Sequence, residues 1–291
     1  MLVHGLTFDR RIWQPIIAAT YPTRGIVIID RPRGGYEPSS STAIALVTVL
    51  DLSEDGPPDL PLSVRHGVAA HADGDTVTVP ECCDHDDYQS VFSGRFARRT
   101  SKRYQRRGLT PAARAIVDYV ESRGISGATV LEIGGGVGHL QVELLRRGAS
   151  HVTNLELSQN YEAEAARILD EAGMTDRVTR RFLDIAQEPD AVLPADVVIL
   201  HRVVCCYPDY ATLLSVAAGH ARKALAYSHP PVNVVNRVQF GTENVYRWVT
   251  RNDFRTFIHP PEGMVRAAEA GGLTLTYRRH ARDWDVVGLA R

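Results

Sequence analysis

Cysteine is scarce in this 291-residue chain: there are four, in two adjacent pairs, Cys82–Cys83 and Cys205–Cys206. Adjacent cysteines do not make a disulfide framework, so the expectation is reduced thiols in a cytoplasmic protein. Lysine is scarcer still. Lys102 and Lys223 are the only two, and arginine carries nearly all the positive charge. An excess of charge is missing as well, because a formal net charge of -1 gives no global pull toward nucleic acid or an acidic membrane. No stretch approaches the ~20 apolar residues that span a bilayer. No basic start followed by an apolar run and a small-residue cleavage site marks a secretory leader. What is left is a soluble globular composition, 44% hydrophobic and 23% charged, with neither nucleic acid nor membrane expected as a partner.

Three parts differ in composition. Residues 1–80 hold two short apolar runs, "MLVHGL" and "RGIVIID", followed by stretches rich in Pro, Gly, Ser and Asp. Residues 81–109 begin "ECCDHDDY" and turn basic in "SGRFARRTSKRYQRRGL", which predicts a helical lid. From 110 to 291, strand and helix patterns alternate. Thr110 and Pro111 read as N-cap and first helical position, with Gly124 ending that helix. "ATVLEIG" is apolar on both faces, as a central parallel strand should be. The predicted strands continue through "HVTNLEL", "VTRRFLDI", "ADVVILHRVV" and "ALAYSHP", with Ser158 expected to cap the helix after the second. "LTLTYRRH" and "DWDVVGLAR" close the pattern. This alternation predicts an α/β fold: a doubly wound, mostly parallel, seven-stranded Rossmann-like sheet with helices on both faces.

The stretch "VLEIGGGVGHL" at 130–140 is a strand, a glycine loop and a helix start. A dinucleotide loop wants G-x-G-x-x-G or G-x-G-x-x-A, and here the last small position is His139. The glycines instead fall at Gly134, Gly135, Gly136 and Gly138, with Glu132 ahead of them. This E-x-G-x-G-x-G pattern resembles motif I of the class I S-adenosylmethionine-dependent methyltransferases. The resemblance implies S-adenosyl-L-methionine as cofactor, with Glu132 orienting its ammonium group and Glu156 accepting the ribose hydroxyls. It implies Asp184 on the adenine amino group, and places Leu157 and Ile185 beside these acids. Asp196 begins the fourth strand and His201 ends it, and the resemblance implies that these acids and His201 fall in order at strand ends along one sheet edge. The layout of "RYQRRGL" and "HRVVCCYPDY" is most similar to the magnesium-protoporphyrin O-methyltransferase-like group.

Methyl transfer from a sulfonium needs alignment and exclusion of water more than a catalytic side chain. Alignment can supply roughly 7–11 kcal/mol. The acceptor is expected to be a small molecule, anionic in character, methylated on oxygen. His201 and Tyr207 are the catalytic candidates, and His201 also touches the cofactor. Tyr104 of the lid is expected at the methionine end. Arg202, His229, Arg255 and His259 are substrate candidates, the last two on a long insertion, "PVNVVNRVQFGTENVYRWVTRNDFRTFIHPP". One or two lid arginines could grip an acidic substrate, with a solvated helix face as the other reading. The cysteine pairs lack the C-x-x-C spacing that bends two thiolates onto one zinc ion, so no metal is expected.

The start of the chain, "LVHGLTFDRRIWQPII" with "RGIVIIDRPRGGYEPS", resembles the early part of an α/β-hydrolase. No G-x-S-x-G nucleophile elbow occurs anywhere, and Met1 stands directly on the strand. The expectation is a degenerate, truncated or fused segment with little order and no hydrolase catalysis. Two alternatives stay open for the chain as a whole: a non-catalytic S-adenosylmethionine-binding regulatory protein, and a dinucleotide-dependent oxidoreductase.

Overall fold

The computed structural model describes residues 26–29, 47–50, 85–281 and 283–291. In the first compact unit, Met1–Thr78, the described residues are β1 (Ile26–Ile29) and β2 (Val47–Leu50), paired antiparallel. β1 lies in the predicted run "RGIVIID". The rest of the hydrolase-like pattern, Cys82 and Cys83 lie outside the described residues.

The second unit, Val79–Arg291, is built on a seven-stranded sheet. Its strands are β3 (Thr129–Ile133), β4 (His151–Glu156), β5 (Val178–Phe182), β6 (Ala195–Leu200), β7 (Ala221–His229), β8 (Thr274–Arg279) and β9 (Asp285–Ala290). They run in the order β5-β4-β3-β6-β7-β9-β8, parallel except where β9 pairs antiparallel with β7 and with β8. The helices are α1 (His85–Val91), α2 (Gly94–Arg107), α3 (Pro111–Ser122), α4 (His139–Arg146), α5 (Glu162–Glu171), α6 (Tyr210–Gly219), α7 (Val234–Val249) and α8 (Pro261–Glu269). No described helix is long and apolar enough to cross a membrane.

The continuous apolar strands are explained by burial on two faces. Successive side chains of a strand point to opposite sides, and here each side meets a helical layer. Leu131, Val198, Leu200, Leu225 and Tyr227 enter one core with Leu213 and Leu214 of α6 and Met264 of α8. Val130, Val197, Ile199, Ala224 and Ala226 enter the other with Ile116 and Val120 of α3 and Leu140 and Leu144 of α4. Thr110 caps α3 by accepting the Ala113 N–H at 3.2 Å, with Pro111 next to it. Thr110→Ala should therefore cost about 1 kcal/mol, read as a lowered urea midpoint with an unchanged slope.

One local expectation is corrected. Ser158 does not cap the helix that follows: a 3-10 turn, Gln159–Tyr161, intervenes before α5. The Ser158 hydroxyl instead bonds Gln89 Oε1 at 2.8 Å, on α1. The predicted lid is two helices, broken at Phe92–Ser93, and the long insertion forms the 16-residue α7.

The chain builds outward from β3 to β4 and β5, then crosses back to lay β6 on the other side of β3. In open α/β sheets such a switch leaves a crevice at the carboxyl ends of the two strands, where ligands bind. The glycine loop leaves β3 at this point.

Candidate functional site

Gly134, Gly136 and Gly138 take φ of +68°, +55° and +80°, a region that L side chains rarely adopt, so the loop needs glycine for its path. At Gly134 space adds a second reason: a Cβ there would overlap the Val203 side chain, just beyond β6. The loop therefore lies against the switch point with its backbone bare.

Beneath it is a layer of buried polar groups. Glu132 on β3 is in register with Asn154 on β4. Asn154 Oδ1 accepts the Gly135 N–H at 3.0 Å, and Gln141 Nε2 of α4 donates to Glu132 Oε2 at 2.8 Å. Arg180 of β5 donates to the Gly136 carbonyl at 2.9 Å and pairs with Glu162 at 2.7 Å. Within this layer, Glu132 Oε1 and Asn154 Nδ2 are buried with no partner among the described residues. Burial pushes the Glu132 carboxyl up to about 7, against the pull of Gln141 and Arg180.

Glu156, at the end of β4, accepts three backbone N–H groups: Gly136 at 2.8 Å, Leu157 at 2.9 Å and Ser158 at 3.1 Å. Its carboxyl is still raised, because desolvation outweighs these bonds. Asp184 accepts from the Ala186 N–H at 3.0 Å and from the Tyr207 hydroxyl at 3.0 Å. A narrow cleft is lined by Gly134, Glu156, Leu157, Asp184, Ile185 and Tyr207, together with Tyr88 of α1. Six residues expected to bind the cofactor or acceptor thus come together from four separate strand ends. Tyr88 had no signal in the sequence beyond its place in the lid. Asn154 did have one, as an amide inside an apolar strand.

A second group gathers behind the loop. His139 opens α4, and its ring lies 6.3 Å from that of His201 and 5.7 Å from that of Tyr104. Burial, then Arg202 and Arg103, bring His139 down to about 4, and its Nδ1 has no partner. Burial, then His139 and Arg202, hold His201 well below the usual imidazole range. Ser228 Oγ accepts the Arg202 N–H at 3.0 Å and lies 2.9 Å from His201 Nδ1. The serine proton is then free to go to Nδ1, which leaves the histidine proton on Nε2. Arg202 itself is left-handed, with φ +63°, and its exposed guanidinium sits 4.8 Å over the Trp284 ring. Tyr104 donates to Glu143 at 2.7 Å, a bond that ties α2 to α4.

The remaining candidates have partners of another kind. His229 is buried, with Nδ1 3.0 Å from the Pro230 carbonyl. His259 Nε2 lies between the Val204 and Tyr207 carbonyls at 3.1 and 2.9 Å, with its ring stacked on Phe257. Arg255 bonds the Phe254 carbonyl at 2.9 Å. None of these three is among the residues that line the cleft. Asp196 is at the opposite end of the sheet: it accepts the Thr129 N–H at 2.9 Å and pairs with Lys223. It belongs to the strand-start edge, contrary to the expectation of one shared edge. The cations Arg95, Arg98, Arg99, Lys102, Arg103, Arg106 and Arg107 of α2 are exposed and form no ion pair among the described residues. Ala97 and Ser101 face inward, so the exposed cations form a solvated outer face.

No protein-family model matches the chain, and no curated protein matches it in sequence. Solved structures match it in fold. The magnesium protoporphyrin IX methyltransferase of Synechocystis PCC 6803, with bound SAH, is 18% identical at a TM-score of 0.52, covering 71% of this chain and 93% of that one. An O-methyltransferase family protein from Burkholderia thailandensis is 18% identical at 0.51, covering 71% and 70%. An O-methyltransferase family 2 protein from Planctomyces limnophilus, in complex with apigenin, is 16% identical at 0.51, covering 67% and 61%. At these identities the likeness is one of architecture, and the second unit of this chain has the class I methyltransferase fold.

Proposed function

We propose that this protein is an S-adenosyl-L-methionine-dependent methyltransferase acting on a small-molecule acceptor, with oxygen as the favoured acceptor atom. The observation that carries the proposal is the bare glycine loop at the switch point, backed by the partnerless buried oxygen of Glu132. A cationic group held at the loop would give that oxygen a partner and offset part of its desolvation. The cofactor's ammonium is such a group. Glu156 and Asp184 are read as the ribose and adenine acceptors, with Leu157 and Ile185 against the ring.

When bound, S-adenosyl-L-methionine supplies an electrophilic methyl group on a sulfonium, open to in-line displacement. The protein's share is to hold the acceptor in line and exclude water, with α1 and α2 as the lid and Tyr88 at its inner face. His201, held well below the usual imidazole range by burial, is a weak base. Burial likewise raises the Tyr207 phenol, which is already committed to Asp184. Both favour an acceptor that arrives ionised, such as a carboxylate, which needs no base. Arg202, exposed beside His201, is the cation that would grip an anionic acceptor. The free Cys205 and Cys206 thiols are consistent with a reducing, cytoplasmic setting.

Calorimetric titration with S-adenosylhomocysteine tests the reading. Micromolar binding is expected, weakened by about 2 kcal/mol in Glu156→Ala through lost charge-assisted hydrogen bonds. Binding of NAD in its place would support the dinucleotide alternative. Binding of S-adenosylhomocysteine without turnover of any carboxylate or hydroxyl acceptor would support a regulatory role.

A further inference from the structure

Beyond the cofactor cleft, the turn after β6 brings two sulfurs together. Neighbouring residues of a strand point to opposite faces, so a Cys–Cys pair in extended chain cannot converge. Here Val204–Cys206 is a 3-10 turn closed by the Cys206 N–H on the Val203 carbonyl at 2.8 Å. The two thiols swing to one side, with Cys205 Sγ and Cys206 Sγ 3.4 Å apart. The turn is also held from outside, because the Cys205 carbonyl accepts the Phe257 N–H at 2.7 Å. Both cysteines are free thiols; Cys205 is buried and Cys206 is partly open.

The separation selects among possible guests. Two sulfurs on a tetrahedral zinc, with Zn–S of about 2.3 Å, lie about 3.8 Å apart. Two bonds of about the same length meeting near a right angle, as on a pyramidal trivalent atom, span about 3.3 Å. The observed 3.4 Å is close to the second. Among the described residues no third His, Cys, Asp or Glu joins the pair to hold a metal ion. A guest satisfied by two sulfurs therefore fits better than one needing four ligands.

We propose that Cys205 and Cys206 form a dithiol site for a single thiophilic atom of the trivalent arsenical class. With an organoarsenic oxide the step is a condensation: two S–H bonds and the arsenic–oxygen bond break, two As–S bonds form, and the oxygen leaves as water. Arsenic stays trivalent and no electrons are transferred. The next residue, Tyr207, donates to Asp184 at 3.0 Å, and both residues line the cleft.

Phenylarsine oxide is the probe, on the full chain carrying Cys82→Ser and Cys83→Ser so that the other adjacent pair cannot answer for this one. The expected result is one adduct per chain by intact mass, removed by 2,3-dimercaptopropanol but not by excess monothiol. Cys206→Ala in that background should weaken the adduct at least tenfold, with circular dichroism confirming the fold. No adduct in the background protein, or an adduct retained at equal strength in Cys206→Ala, would overturn the proposal.

Discussion

Gly135→Ala is expected to lose measurable S-adenosylhomocysteine binding and to lower stability by about 3 to 5 kcal/mol. Unlike its neighbours, Gly135 does not have a positive φ, so the backbone would accept alanine. The obstacle is what lies beneath. A Cβ would overlap Asn154 Oδ1 and Glu132 Oε2 and stand 2.7 Å from Gln141 Nε2. Overpacking a tight core costs typically 1–3 kcal/mol, and separating buried polar partners a further 1–3. Relief would have to lift the loop or break the Gly135–Asn154 and Gln141–Glu132 bonds, and either change alters the surface offered to a cofactor. Gly241→Ala is the control: nothing lies within 4 Å of its Cβ, and in the middle of α7 it should gain up to about 1 kcal/mol. A Gly135→Ala protein that unfolds at the native urea midpoint and binds normally would show that the polar layer is not rigid.

The second large effect is pH-dependent. Glu132→Gln should make the unliganded protein more stable above pH 7 while weakening cofactor binding. Burial raises the folded-state carboxyl to about 7 from its ordinary value of 4.5. The folded chain then holds this proton over a range where the unfolded chain has released it. Stability from this group is present below about pH 4.5 and is lost as pH rises toward 7. At ~1.4 kcal/mol per pH unit the full loss is about 3 kcal/mol. Glutamine keeps an oxygen and an amide in the same space but has no charge to bury, so that loss disappears. Urea unfolding at pH 5 and pH 8 reads it: the gap between variant and native should open at pH 8 in favour of the variant. Equal pH slopes would mean that Glu132 is solvated through the loop. Glu156, also raised by burial, adds a slope of the same sign to both proteins and cancels in the difference.

These two effects depend on different kinds of information. The glycine spacing, the carboxylates at 132, 156 and 184, and the strand–helix alternation from Thr110 onward are local patterns. They were legible because burial on both faces leaves a strand continuously apolar, and because a loop that must pass close to a ligand excludes side chains. Thr110 was legible for the same reason, since a cap and its N–H partner are three residues apart. Ser158 has an equally good local signature and was misread. Its hydroxyl is taken by Gln89, 69 residues earlier. The polar layer under the loop was not legible either. Asn154, Gln141 and Arg180 belong to three elements, and their convergence depends on the register of β4 against β3 and β5. Asp196 shows the converse: it lies within β6 at the strand start, and the parallel pairing of β6 with β3 and β7 sets that edge apart from the cleft.

The architecture, the glycine loop and the acids beside it follow from local sequence, because hydrophobic period and backbone sterics act over a few residues. Which polar groups lose their water depends on long-range packing. Strand register and helix packing left Glu132 Oε1 buried without a partner among the described residues, pushed the His201 and His139 imidazoles below their usual range by burial, and brought Tyr88 to the lining of the cleft. They also brought the sulfurs of Cys205 and Cys206 to 3.4 Å. Desolvation depends on everything that packs around a group, and no local stretch of chain carries that information.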